Sequence, residues 1–257
     1  MRGAPFSLIA IAACCGLLAI GCGHDAPPQD KPVKGDSVGS QDIAHGIHGG
    51  TGLPRVEFPE VDDNVRHDTL LIQVTFDLGD GTFIMVASNV DETFEGVRLY
   101  RYRLKSDGGP EIIATSSPGY DSWTMLPSFF PLDRKQPTDA MWLLANMGER
   151  ESWGQKLIWL DWEFTDMGFM DVALPERVVE DDTLRLKRRN IGPNTRIEDR
   201  NDTSYFRFAC DSVYLYDDQA GNMDQVLPAG KVFFTYHREE GLALWVNGEK
   251  RPVKKPA

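Results

Sequence analysis

Alternation of apolar and polar residues begins near residue 69 and marks the start of the folded part of the chain. Leu70, Ile72, Val74, Phe76 and Leu78 alternate with residues of mixed polarity, which is the period-two pattern of a half-buried strand. Asp80-Gly81 follows directly and predicts a two-residue hairpin turn, since both positions of such a turn need positive φ. The return strand is therefore expected over residues 82–88.

Short apolar runs separated by Gly, Asn, Asp and Pro continue to the C-terminus, and no segment carries a helical stripe with caps. This pattern predicts an all-β fold, an antiparallel sandwich or barrel-like sheet of ten or more short strands. A small β-propeller of about four blades is the alternative, although no repeat of blade length is present. Further strands are expected at 96–105, 110–115, 140–146, 155–163, 183–187, 205–210, 213–216, 231–236 and 242–246, with a polar loop at 147–154.

The N-terminal residues carry a different signal. Arg2 is the only charge before the apolar run 7–20, which has the length of a signal-peptide core and falls short of the roughly 20 residues that span a bilayer. The run ends in Leu18-Ala19-Ile20-Gly21-Cys22, which resembles the lipobox of bacterial lipoproteins, with Ala19 where leucine is most usual.

The lipobox resemblance implies an anchor. It implies cleavage between Gly21 and Cys22, a diacylglycerol on the Cys22 thiol and, usually, acylation of the new amine. Two or more acyl chains hold a protein stably at a membrane, whereas one chain holds it only marginally. Gly23 stands where an aspartate retains enterobacterial lipoproteins at the inner membrane, so by analogy the destination in the cell envelope is the outer membrane.

The composition of the chain predicts how it divides into segments. Residues 1–21 are the predicted signal peptide, and residues 22–66, rich in Gly and Pro, are the predicted lipidated cysteine and flexible linker. A single β domain is expected over 67–249, followed by a basic tail at 250–257. The motif at 35–39 matches a hydrolase nucleophile elbow and His45 and His48 match a weak metal chelate, but both lie in the linker, so neither is assigned a role.

The net charge and the positions of the cysteines argue against nucleic-acid binding and against an intrachain disulfide. The net charge is −12, and loss of residues 1–21 removes one Arg and no acid. A strongly acidic chain disfavours nucleic acid as a partner. The lipobox resemblance implies that Cys14 and Cys15 leave with the signal peptide and that Cys22 is lipidated, which would leave Cys210 without a partner for an intrachain disulfide. No cofactor is expected. A basic cluster at Arg185 and 187–189 is interpreted as pairing with the surplus carboxylates.

Trp159, Asp161, Trp162 and Glu163 form the candidate ligand-binding cluster. On one strand the two tryptophans point to opposite faces, and exposed tryptophan beside acids is typical of sugar-binding surfaces. Core packing is the alternative. Asp161 and Glu163 would share a strand face, and glycoside hydrolysis needs two carboxylates about 5–9.5 Å apart. No catalytic or metal-binding residue is assigned, because no zinc-protease, Walker or Cys-x-x-Cys motif is present.

These observations favour a lipid-anchored envelope protein with a non-catalytic β-rich domain that binds a glycan or an envelope protein. One alternative is an envelope glycan hydrolase that uses the paired carboxylates. Another is an immunity or inhibitor lipoprotein: the segment from Phe208-Ala209-Cys210 to Trp245 is faintly similar to small lipoprotein lysozyme inhibitors, whose Ser/Gly-rich inhibitory loop has no match here.

Overall fold

The structure is a computed structural model. It describes residues 52–61, 69–90, 96–117, 124–133, 135–149, 152–180, 182–217 and 222–253. The predicted signal peptide, the lipidation site with Gly21 and Cys22, the motif at 35–39, His45 and His48 lie outside the described residues. All described residues belong to the compact unit Ile47–Ala257.

The described residues form eighteen strands and two short 3-10 turns, so the all-β fold is confirmed. The 3-10 turns are Gly192–Asn194 and Ala229–Lys231. The strands are β1 (Gly52–Leu53), β2 (Leu70–Asp77), β3 (Thr82–Asn89), β4 (Arg98–Leu104), β5 (Pro110–Thr115), β6 (Thr124–Pro131), β7 (Met141–Glu149), β8 (Ser152–Leu160), β9 (Phe164–Met170), β10 (Val172–Glu180), β11 (Thr183–Arg189), β12 (Thr195–Arg200), β13 (Thr203–Phe208), β14 (Ser212–Asp217), β15 (Asn222–Pro228), β16 (Val232–His237), β17 (Gly241–Val246) and β18 (Glu249–Pro252).

Antiparallel pairing joins the strands into four sheets. Two sheets are simple meanders, β2-β3-β4-β5 and β6-β7-β8-β9. A third has the order β11-β10-β14-β15, and the fourth is six-stranded with the order β1-β12-β13-β16-β17-β18. The described strands do not close into a barrel, so of the two predicted arrangements the structure has the sandwich-like one, a stack of sheets.

The sheet β6–β9 lies in the middle of the stack, because both of its faces are buried. Along β7, Trp142 and Leu144 join the cluster shared with the six-stranded sheet, whereas Leu143 and Ala145 join the cluster shared with β2–β4. All four side chains are at most 4% exposed. A strand buried on both faces loses polar alternation. This explains why 140–146 has a continuous apolar run in the sequence.

The predicted polar loop at 147–154 is wrong. β7 continues to Glu149 and β8 begins at Ser152, and Met147 pairs with Gly154 across the ladder. Met147 is buried, and Gly154 leaves room for the Phe169 ring on β9. The polar residues of this stretch therefore belong to two long strands and a short connection.

The hairpin predicted at Asp80-Gly81 is present with a longer turn than expected. Leu78 and Thr82 close a three-residue loop, in which Gly79 and Gly81 have φ of 80° and 84°. Asp80 accepts hydrogen bonds from the backbone N–H and the hydroxyl of Thr82 at 2.8 and 2.6 Å. The side chain of Asp80 therefore replaces a backbone acceptor in the turn.

Two segments outside the predicted domain bounds pair with its sheets. Gly52 and Leu53, placed in the linker by composition, form β1 against β12, and Val56 bridges Phe129. At the other end, β18 pairs with β17, so residues 249–252 extend the six-stranded sheet. Composition could not show these contacts, because short edge strands need little apolar character of their own.

Candidate ligand-binding cleft

The predicted cluster Trp159 to Glu163 is not one continuous strand. β8 ends at Leu160, and residues 161–163 form the turn to β9. The Asp161 carboxylate accepts the backbone N–H of Glu163 at 3.1 Å and the indole N–H of Trp159 at 3.1 Å. An aspartate that bonds to the backbone two residues ahead competes with the ladder and favours a turn. The prediction that Asp161 and Glu163 share a strand face is therefore wrong.

The two tryptophans of the cluster have separate environments. Trp162 lies in the turn and is 85% exposed. Trp159 lies on β8, is partly buried and packs against the core cluster of the six-stranded sheet. The expectation that they occupy opposite faces of one strand is wrong, since only Trp159 is on the strand. Glu163 is exposed beside Trp162 and none of the described side chains is paired with it in a salt bridge.

The hydrogen bonds of the turn lower the pKa of the Asp161 carboxyl. The backbone N–H of Glu163 has the largest effect, partial burial opposes it, and the Trp159 indole adds to the lowering. A lowered pKa in the folded state stabilises the fold above the ordinary pKa, and this contribution disappears as the pH falls through the folded-state pKa.

We expect an NMR titration of the Asp161 carboxyl carbon to give a midpoint below the ordinary value of 3.8. The indole N–H resonance of Trp159 should titrate with the same midpoint, because Trp159 donates to this carboxylate. In Asp161→Asn the pH-dependent shift of that resonance should vanish. A midpoint at or above 3.8, or an unchanged Trp159 titration in the variant, would show that the turn is not held by this carboxylate.

Trp159 faces a cleft of about 440 Å³ beside the six-stranded sheet. Its walls come from the loop after β6, from β7–β9, and from the hairpin β12–β13 with the end of β16. The residues that line it are Leu132, Trp142, Trp159, Met167, Asp199, Asn201, Asp202, Thr203, Ser204, Tyr236 and Arg238.

Three aromatic side chains form the floor of the cleft. The rings of Trp142 and Trp159 meet edge to face, with their centres 4.9 Å apart and their planes at 73°. The rings of Trp142 and Tyr236 do the same, with centres 5.4 Å apart and planes at 67°. Trp142 is only 4% exposed and fixes the other two rings from below. Edge-to-face geometry is a favoured arrangement of aromatic pairs, so these contacts stabilise the floor.

The rim of the cleft is polar and comes mainly from the turn between β12 and β13. Asn201, at φ 52°, reverses the chain there, and Asp199 and Asp202 flank it. Thr203 pairs with His237, which brings the adjacent Arg238 to the same end of the sheet. In the described part of the chain, Asp199, Asp202 and Arg238 have no salt-bridge partner, so their polar groups are open to a ligand.

Comparison with protein-family models, with curated proteins and with solved structures gives no match for this chain. The chemistry of the cleft is therefore inferred from its residues alone. An aromatic floor with a few convergent polar groups is the usual composition of a small-ligand site, and the volume lies within the usual range of about 300–1,000 Å³.

The sequence identified only Trp159 among the residues of this cleft. The rim residues were missed, because they come from strands forty or more positions away, brought together by the register of β13 with β16 and by stacking of the sheets. A local signal existed in Asn201-Asp202, which is a turn sequence. It gave no information on which other strand the turn approaches.

A second polar cluster lies at Lys156, whose side chain is 6% exposed. Its ammonium donates to Ser117 Oγ at 2.6 Å and pairs with Asp166 at 2.9 Å. Hydrolases that pair a serine with a lysine need a neutral amine as general base. The Lys156 ammonium is engaged by both Ser117 and Asp166, so this cluster is better explained as a link between β8, β9 and the residues after β5.

Two other features of the sequence, the Cys210 thiol and the basic cluster at 185–189, are explained by their contacts with neighbouring groups. Burial and, secondarily, Asp211 raise the pKa of the Cys210 thiol, which disfavours the reactive thiolate. The predicted pairing of the basic cluster is confirmed: Arg188 pairs with Asp171, Arg189 with Glu176, and Lys187 with Glu180.

Within the described ranges there is no group of three His, Cys, Asp or Glu side chains that could hold a metal ion. The same residues include no helix long and apolar enough to cross a bilayer.

Proposed function

We propose that this protein is a cell-envelope lipoprotein whose β-rich body binds a glycan segment in the aromatic cleft without catalysis. The observation that carries the proposal is the cleft itself, with Trp159 and Tyr236 on its floor and unpaired polar side chains on its rim. The lipobox resemblance at Gly21 and Cys22 supports the anchor, and residues 23–51 provide the linker between anchor and body.

The rim favours a neutral, hydroxyl-rich ligand. Asp199 and Asp202 accept hydrogen bonds from hydroxyl or amide groups, and Arg238 donates to ring or carbonyl oxygens. Two carboxylates against one guanidinium give a net negative rim, which disfavours a polyanion. The aromatic floor offers apolar surface to the C–H groups of a sugar ring. An oligosaccharide with N-acetyl groups has this combination of groups.

The test is calorimetric titration of the full chain with N-acetylglucosamine oligomers, which are neutral, and with muropeptides, whose carboxylates should make their binding weaker. Trp159→Ala should weaken binding by more than about tenfold, since loss of an aromatic contact of 1.4 kcal/mol or more changes affinity by that factor. Trp162→Ala is the matched control, because Trp162 is 85% exposed and does not line the cleft. Equal loss in both variants, or no binding of either ligand class, would contradict the proposal.

Hydrolysis is the second candidate, and one observation favours it. Asp199 and Asp202 both line the cleft, so two carboxylates are available beside a bound sugar. This pair replaces the predicted pair Asp161 and Glu163, because Asp161 uses its oxygens in the turn. Release of reducing ends from the same oligomers, abolished in Asp202→Asn with binding retained, would establish hydrolysis in place of binding alone.

A further inference from the structure

The outer face of the six-stranded sheet carries a row of cations and aromatic rings that runs across the strands. Arg196 on β12 pairs with Arg207 on β13, Phe233 pairs with Trp245, and Trp245 pairs with Lys250. The guanidinium carbon of Arg207 lies 4.6 Å from the centre of the Phe233 ring and so joins the two halves of the row. Five strands at about 4.8 Å spacing give the row a width of about 19 Å.

This face is opposite to the core. Ile197, Phe206, Phe234 and Leu244, which alternate with members of the row, are buried in the core cluster. Arg196 and Lys250 are exposed, and Arg207, Phe233 and Trp245 are partly buried. The row is also distinct from the cleft, with which it shares no residue.

Arg196 and Arg207 form a like-charged pair directly opposite each other on β12 and β13. Residues directly opposite on antiparallel strands have Cβ atoms about 5 Å apart, and like charges there are destabilising. Glu198, two residues along β12 from Arg196, is paired with Arg200 at 2.7 Å, and Lys250 is paired with Glu240. Among the residues that the structure describes, neither Arg196 nor Arg207 has a salt-bridge partner, and Arg207 Nε is buried without a hydrogen-bond acceptor.

The Phe233 ring holds the Arg207 guanidinium, and the aromatic members of the row leave little ring surface for a ligand. Phe233 and Trp245 are stacked at 5.5 Å with an angle of 7°, and Arg207 covers Phe233. The Trp245 indole N–H is used by Thr235 at 3.0 Å. The groups left for recognition are therefore the guanidinium N–H donors, which match the oxygens of phosphate in a bidentate geometry.

We propose that Arg196 and Arg207 form an anion-binding site for a phosphate-type group. The anion would supply a counterion to this pair, and two guanidinium groups would share its oxygens. The group is either a soluble phosphate ester or a phospholipid headgroup, since both present the same oxygens. The protein as a whole is acidic, so binding at this face depends on the local pair and not on net charge.

The test uses the full chain at low ionic strength, with pyrophosphate in calorimetric titrations and with phosphatidylglycerol vesicles in co-sedimentation. Arg196→Gln and Arg207→Gln should each weaken binding about tenfold or more. Arg103→Gln is the matched control, because it removes the same charge from an exposed arginine on another sheet that is paired with Glu111. Thermal unfolding of Arg196→Gln verifies folding and should show no loss of stability, since the substitution relieves repulsion.

The titration and the co-sedimentation together distinguish a soluble phosphate ester from a phospholipid headgroup. Pyrophosphate binding without co-sedimentation identifies a soluble ester, and co-sedimentation that depends on Arg196 and Arg207 identifies the lipid headgroup. No binding in either arm, or an equal loss in Arg103→Gln, overturns the site.

Discussion

Replacement of Trp142 by alanine is expected to lower the free energy of unfolding by about 3–5 kcal/mol, the usual cost of removing a buried tryptophan. Trp142 is 4% exposed and lies in the core cluster between the central sheet and the six-stranded sheet. The centre of its ring lies 4.9, 5.5 and 5.4 Å from the ring centres of Trp159, Phe206 and Tyr236. The remaining rings cannot fill the space of an indole, so a cavity would remain.

Urea denaturation followed by far-ultraviolet circular dichroism measures this effect. Trp162→Ala removes the same side chain from a position that is 85% exposed and should change stability by less than about 0.5 kcal/mol. Similar losses in the two variants would mean that the core does not lie between these sheets. Trp142→Ala should also weaken ligand binding in the cleft, because the Trp142 ring supports both Trp159 and Tyr236.

The second large effect is expected at Gly154, where alanine should cost about 1–3 kcal/mol through overpacking. A Cβ atom there would lie 2.1 Å from Cζ of Phe169, with two further ring carbons at 2.9 and 3.0 Å. Gly154 is buried on β8 and Phe169 lies on the neighbouring strand β9. The ring must therefore move, and with it the packing of β9 on the central sheet.

Gly230→Ala is the control for this substitution. A Cβ at Gly230 has no heavy atom within 4 Å, and its backbone does not have positive φ. Thermal unfolding of both variants should show a lower midpoint for Gly154→Ala and an unchanged one for Gly230→Ala. An unchanged midpoint for Gly154→Ala would mean that β8 and β9 do not pack as described.

The sequence predicted the outer strands better than the central ones. The alternation from Leu70 to Leu78 located β2, and the hairpin that follows was found. A bulge between Ile72 and Val74 nevertheless places Leu70 and Ile72 against a different hydrophobic cluster from Val74 and Phe76, which the alternation could not show. Pairing over 147–154 was missed, because strands buried on both faces show no alternation and their polar residues resemble a loop. β6 was missed for another reason: Pro127 and Pro131 lie within it, and proline is a weak strand former.

The site was predictable only in part. Trp159 could be selected because exposed tryptophan beside acids is typical of sugar-binding surfaces, but Asp161 was interpreted as a ligand-facing acid when it organises a turn. Asp199, Tyr236 and Arg238 approach Trp159 through contacts between distant strands and through stacking of two sheets. Local patterns do not encode that register, so the partners of Trp159 required the structure.

The most direct test of the account follows the six tryptophan indole N–H resonances by NMR during titration with an N-acetylglucosamine oligomer. Ligand binding in the cleft should shift the Trp159 resonance, which reports on the floor and on its hydrogen bond to Asp161, and leave Trp162 unchanged. Saturable shifts at Trp162 or at Trp245 with Trp159 unaffected would contradict the cleft as the binding site.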